Sequence, residues 1–149
     1  MSQAVNQAIL TALRANTALC ALLGTQTGGQ PAIFYAKRSE LPPLGAAGDV
    51  VTFRECVLDP DSLFAPTWNE ESEYYDFEAW TAKRGSGVLS AIRYQLDVSL
   101  NKVVLPLPDP THNAMRYMRR MAGGCSGEYD KDLREFFGLW RYRAWVRSV

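Results

Sequence analysis

The chain has 149 residues, 47% of them hydrophobic, and its 16 Lys and Arg balance 16 Asp and Glu to a formal net charge of zero. This length favours a single domain over 1–149 that buries roughly 70% of its unfolded surface without staples, and the neutral balance weighs against a freely diffusing nucleic-acid binder. No apolar run reaches the roughly 18 residues of a membrane span. The three cysteines (Cys20, Cys56 and Cys125) lack CxxC spacing and read as reduced thiols used as small apolar groups.

Residues 2–23 predict a helix, with Ser2 as a cap and Val5, Ala8, Ile9, Ala12 and Leu13 as its apolar stripe. Asn16 and Thr17 break it and re-cap a short segment, "ALCALL", which stops at Gly24. "AIFYAKR" (32–38) predicts a short strand, "SELPPLGAAG" a turn-rich connection, and "DVVTFRECVL" (49–58) the next strand. Residues 59–69, with Pro60 and Pro66, read as irregular. Residues 71–83 predict a long strand, with Tyr75, Phe77 and Ala79 on one face and Asp76 and Glu78 on the other. Val88, Leu89, Ile92, Leu96 and Leu100 recur at helical spacing, which predicts a helix over 86–101 capped by Ser86. Two strands close the chain, 114–124 and 136–148, joined by "GCSGEYDKDLRE" as a long hairpin loop. The expected fold is α+β, a mainly antiparallel sheet with two helices packed on one face.

Charge is balanced in sum but divided along the chain. Eight acidic residues and no basic one lie between Glu55 and Glu78: Glu55, Asp59, Asp61, Glu70, Glu71, Glu73, Asp76 and Glu78. From Met115 onward, eight basic residues face four acidic ones. Such asymmetry predicts a molecule with a negative and a positive side.

The residues that carry chemistry are sparse. His112 is the single histidine, which excludes a histidine-based zinc cluster and makes a Cys–His site hard to build. Asp59 and Asp61 have a metal-like spacing but lack the glycine and distal glutamate of a calcium loop. "GGCSG" around Cys125 resembles a nucleophile turn only in its glycines, and "GSG" at 85–87 is too short to cradle phosphate. Glu70, Glu71 and Glu73 have no partner at acid–base spacing. No catalytic, metal or cofactor-binding residue is assigned, and no cofactor or small-molecule substrate is expected.

The last strand is the informative one. Read at a period of two, Trp140, Tyr142, Ala144 and Val146 share one face, and Arg141, Arg143 and Arg147 share the other with Trp145. Arginines on such a face serve a nucleic acid, a neighbouring subunit's carboxylates, or solvent. Only Trp145 joins them, whereas a base-stacking platform needs rings and charge on one surface.

The layout resembles the tail-completion or tail-terminator proteins of long-tailed bacteriophages and prophages. The resemblance rests on "ALCALLG", on "IFYAKRSELPPLG" followed by "DVVTF", on the strand "EYYDFEAWTA", on the helix "GVLSAIRYQL" and on the arginine-rich end. It implies a structural virion protein of the tail or neck, assembled in the host cytoplasm. Such proteins form a homo-oligomeric ring, usually a hexamer, that ends the tail tube and joins it to the head-side connector protein, with passage of DNA through the ring. A ring needs two different complementary faces on each subunit. The implied interface pairs Arg141, Arg143, Arg147 and Trp145 with Glu70, Glu71, Glu73, Asp76 and Glu78 of a neighbour. A DNA-contacting neck or connector component is the alternative, and a small enzyme is a third class.

Overall fold

The computed structural model describes residues 2–42, 44, 48–56, 70–84, 87–107 and 113–148. The chain is α+β. Helices α1 (Ser2–Ala15), α2 (Thr17–Leu22) and α3 (Gly87–Leu100) accompany strands β1 (Ile33–Tyr35), β2 (Val50–Cys56), β3 (Glu70–Thr81), β4 (Asn113–Arg120), β5 (Cys125–Asp130) and β6 (Glu135–Ser148). The strand order is β1-β2-β3-β6-β4, with β5 also paired to β6. Only the β1–β2 pair is parallel. Strand β6 is the axis of the sheet. One edge pairs with β3 along its whole length, and the other takes β5 first and then β4.

The break foreseen at Asn16 is real. Its side-chain oxygen accepts the Leu19 N–H at 3.0 Å and so caps α2. Its side-chain nitrogen donates to Ser99 Oγ at 2.8 Å and to Gln95, which ties the kink to α3. All three helices cover one face of the sheet. Val5, Ile9, Leu13, Leu19, Leu89, Ile92, Leu96 and Leu100 bury against Phe53, Tyr75, Phe77, Tyr142, Ala144 and Val146. The alternation read in β3 and β6 therefore points the expected residues at the core. Phe53, Phe77 and Tyr142 form a continuous aromatic row across three strands, at 5.3 and 5.1 Å between centroids.

One expectation fails. The stretch after Gly124 is not simply a hairpin loop: Cys125–Asp130 forms β5, and only residues 131–134 turn back into β6. Asp130 Oδ1 accepts the backbone N–H groups of Asp132 and Leu133, a local turn that the acidic, glycine-containing composition conceals. Gly124 precedes it at φ +98°, and an added Cβ there would meet the Leu139 carbonyl oxygen at 2.5 Å. "GGCSG" is thus the entrance to a strand. The predicted Ser86 cap, the irregular 59–69 with Asp59 and Asp61, and His112 lie outside the described residues.

The other face of the sheet, here called the outer face, divides in two. Ala32, Leu44, Val50 and Trp80 bury together at one end with Phe34, Leu41, Leu133 and Phe137. The connection from β1 to β2 crosses over them, and it is held by a buried ion pair. Arg38 Nε donates to Glu135 Oε2 at 2.9 Å, and both side chains are almost wholly buried. The Arg38 guanidinium also donates to the Leu41 and Pro42 carbonyls and lies over the Trp80 ring, while Glu135 accepts the Leu44 N–H. Every polar group of the pair is used, which is the condition for such a pair to be tolerated in a core. The opposite end of the outer face carries the arginines of β6.

Candidate functional site

Alternation along β6 places Arg141, Arg143 and Trp145 on the outer face and leaves each half-buried. The neighbouring strands decide what surrounds them. Arg141 is opposite Asp76 on β3, and its Nε donates to Asp76 Oδ1 at 2.7 Å while Nη2 donates to Oδ2 at 3.1 Å. Nη2 also lies 3.0 Å from Cys56 Sγ. Burial, and then the Asp76 carboxylate, raise the Cys56 thiol above its ordinary value and keep it protonated. Bonding to Asp76 raises the Arg141 guanidinium as well.

Arg143 is held differently. Its Nε and Nη2 both donate to Ser72 Oγ, at 3.0 and 2.7 Å. Its guanidinium carbon sits 4.1 Å from the Trp145 ring centroid and 5.5 Å from that of Tyr74. Trp145 in turn stacks on Tyr117 of β4 at 4.5 Å. Arg147 stands opposite Glu70, and Glu71 opposite Val146, in the β3–β6 register.

The acidic residues grouped by sequence do not share one surface. Asp76 is on the outer face, bound to Arg141. Glu78 is on the same face but accepts the Trp80 indole N–H at 3.1 Å. Glu73 is on the helix-covered face, where it accepts the Tyr75 hydroxyl at 2.8 Å. Arg141 therefore meets an acidic partner of its own chain. The sequence could show that opposite charges existed but not that β3 lies beside β6 in antiparallel register, which brings Asp76 to Arg141.

The structure adds Tyr117, Arg119 and Tyr74 to the outer face, residues missed by a reading of β6 alone. Rings and arginines do converge, contrary to the expectation that Trp145 alone joins the charges. The available signal was the alternation in "YMRR", where Tyr117 and Arg119 share a parity. Among the described residues, no group of three or more His, Cys, Asp or Glu is arranged to hold a metal, and no helix is long and apolar enough to cross a membrane.

The fold defines an α+β protein with helices on one face of its sheet and, on the other, an aromatic and arginine-rich ladder. No protein-family model matches the chain, and no curated protein matches it. Among solved structures it is similar to a chain of the virion of a native gene transfer agent particle, with a TM-score of 0.73 and 20% identity over 98% of this chain and 96% of that one. At that identity the likeness shows a shared fold, over nearly the whole length of both chains.

Proposed function

We propose that this chain is a structural virion protein of the bacteriophage type. It forms a ring, a hexamer, that ends the tail tube and joins it to the head-side connector, and DNA passes through the ring. The observation that carries the reading is the end-to-end fold likeness to a chain of a gene transfer agent virion. The phage tail-terminator resemblance in the sequence points the same way, on independent grounds. An acidic central stretch and a basic C-terminal one lie in the same chain, which supports contact between unlike surfaces of neighbouring copies, as head-to-tail packing requires. Its partners are other copies of itself, the tail tube protein and the connector protein, and its role is mechanical rather than catalytic.

Light scattering of the purified chain over a concentration series tests this. The expected species has six times the 16.7 kDa chain mass and an annular outline in negative-stain images. A monomer at every concentration, with no binding to tail tube protein, overturns the reading.

A further inference from the structure

The outer face holds a charge arrangement that folding by itself opposes. Arg119 on β4 stands directly opposite Arg143 on β6. Like charges placed opposite one another across two strands are destabilising. The other arginines nearby are neutralised: Arg141 by Asp76, and Arg120, whose Nε lies 3.0 Å from Asp97 Oδ1, by that carboxylate. Neither Arg119 nor Arg143 has a carboxylate partner among the described residues. Between them and the strand end is a hollow of about 280 Å³, lined by Tyr117, Arg119, Arg120, Met121, Arg143 and Trp145.

The chemistry of this hollow selects its occupant. A nucleobase would compete for a Trp145 ring that already carries two groups. Tyr117 stacks on it at 4.5 Å and the Arg143 guanidinium lies over it at 4.1 Å. What remains available is the guanidinium edges. Arg143 spends Nε and part of Nη2 on Ser72, and Nη1 remains; Arg119 is exposed and uncommitted. Two planar donors with no counter-charge suit a carboxylate.

We propose that the Arg119–Arg143 pair is the seat for carboxylates of a second copy of this chain. The inference rests on the ring reading, from which it takes the second copy. Charge complementarity argues for that occupant: the chain as a whole is neutral, and the stretch from Glu55 to Glu78 has eight acidic residues and no basic ones, of which Asp76, Glu78 and Glu73 are engaged within the chain. The remaining carboxylates of that stretch are the charge that a neighbouring copy would bring to the two arginines. Arg143 is half-buried, where an arginine–carboxylate pair is screened less by salt than at an open surface.

The test compares wild type with Arg119→Gln, Arg143→Gln and the double variant, by light scattering over a concentration series at low and moderate salt. Circular dichroism and thermal unfolding are followed in parallel. The double variant should lose self-association by at least about tenfold in apparent dissociation constant. The unfolding temperature of Arg119→Gln should stay level or rise by up to about 4 °C, because the like-charge pair is gone and no contact of Arg143 is lost. Arg119→Gln guards against a folding artefact, since Arg119 lacks the Ser72 and Trp145 contacts of Arg143. If wild type assembles and the double variant assembles equally well, with the same salt dependence, this inference falls while the ring stands. If a labelled single-stranded or duplex oligonucleotide binds wild type but not the double variant, and self-association is unchanged, the seat is for nucleic acid and the inference is overturned. If wild type is monomeric throughout, the ring reading fails first and the inference goes with it.

Discussion

Arg141 and Asp76 stand opposite each other on adjacent antiparallel strands, joined by two hydrogen bonds of 2.7 and 3.1 Å. The Arg141 side chain is 38% exposed and that of Asp76 only 12%. Exposure of the arginine end brings the pair toward the weak range of surface ion pairs, whereas the carboxylate would be left poorly solvated if its partner were cut away. Arg141→Ala should therefore cost about 1 kcal/mol, read as a lower urea midpoint at unchanged slope. Assembly of Arg141→Ala should match wild type, in contrast to the double variant at Arg119 and Arg143.

The Arg38–Glu135 pair is the opposite case. Its members are 3% and 4% exposed, so removing one leaves a charge in the core with no water to replace its partner. Arg38→Met or Glu135→Gln should each cost about 3–5 kcal/mol by urea unfolding. Replacing both with leucine should cost far less than the two single changes together, because no orphan charge remains. Equal and additive losses would mean that the pair is not coupled as the structure shows.

Two of the seven tyrosines carry an alkaline limit on stability. Tyr75 and Tyr142 are buried, and their hydroxyls donate to Glu73 and Asp97. Burial first, then the neighbouring carboxylate, pushes both phenols well above the ordinary value of 10.0. Below pH 10 the folded and unfolded chains both keep these protons, so pH has no effect through them. Above it the unfolded chain releases two protons that the folded chain holds, and stability falls as pH rises, by up to about 3 kcal/mol per unit. Ultraviolet titration near 295 nm should show two tyrosines that ionise only as the protein unfolds. Their ionisation at an ordinary pH in folded protein would contradict the packing.

Gly138 makes room for Trp140. A Cβ at position 138 would fall 2.5 Å from two atoms of the indole ring. Gly138→Ala should cost about 1–3 kcal/mol, because both residues are buried and the backbone cannot retreat. Gly138→Ala combined with Trp140→Leu should lose less than the sum, a coupling that a double-mutant cycle in urea would read directly.

Local pattern carried most of the fold. The stripe of α3, the Asn16 break, and the alternation in β3 and β6 are consequences of periodicity and capping, which act within a few residues and are visible in the chain. Strand β5 was hidden for the same reason: glycine and acidic residues make up half of it, and four of its six residues are exposed and none is buried. Its pairing is set by β6 and not by its own residues. The site divided along the same line. That Arg141, Arg143 and Trp145 share a face opposite Trp140 and Tyr142 follows from a period of two. Which charges meet across strands does not. Register is a long-range property: it puts Asp76 beside Arg141 from 65 residues away and Arg119 opposite Arg143, while the β1–β2 connection brings Arg38 to Glu135 from 97. Chain composition determined that the protein has an acidic and a basic stretch. Only strand pairing, through the distances over which guanidinium and carboxylate can touch, decided which charges are neutralised within the fold and which arginines remain for a partner.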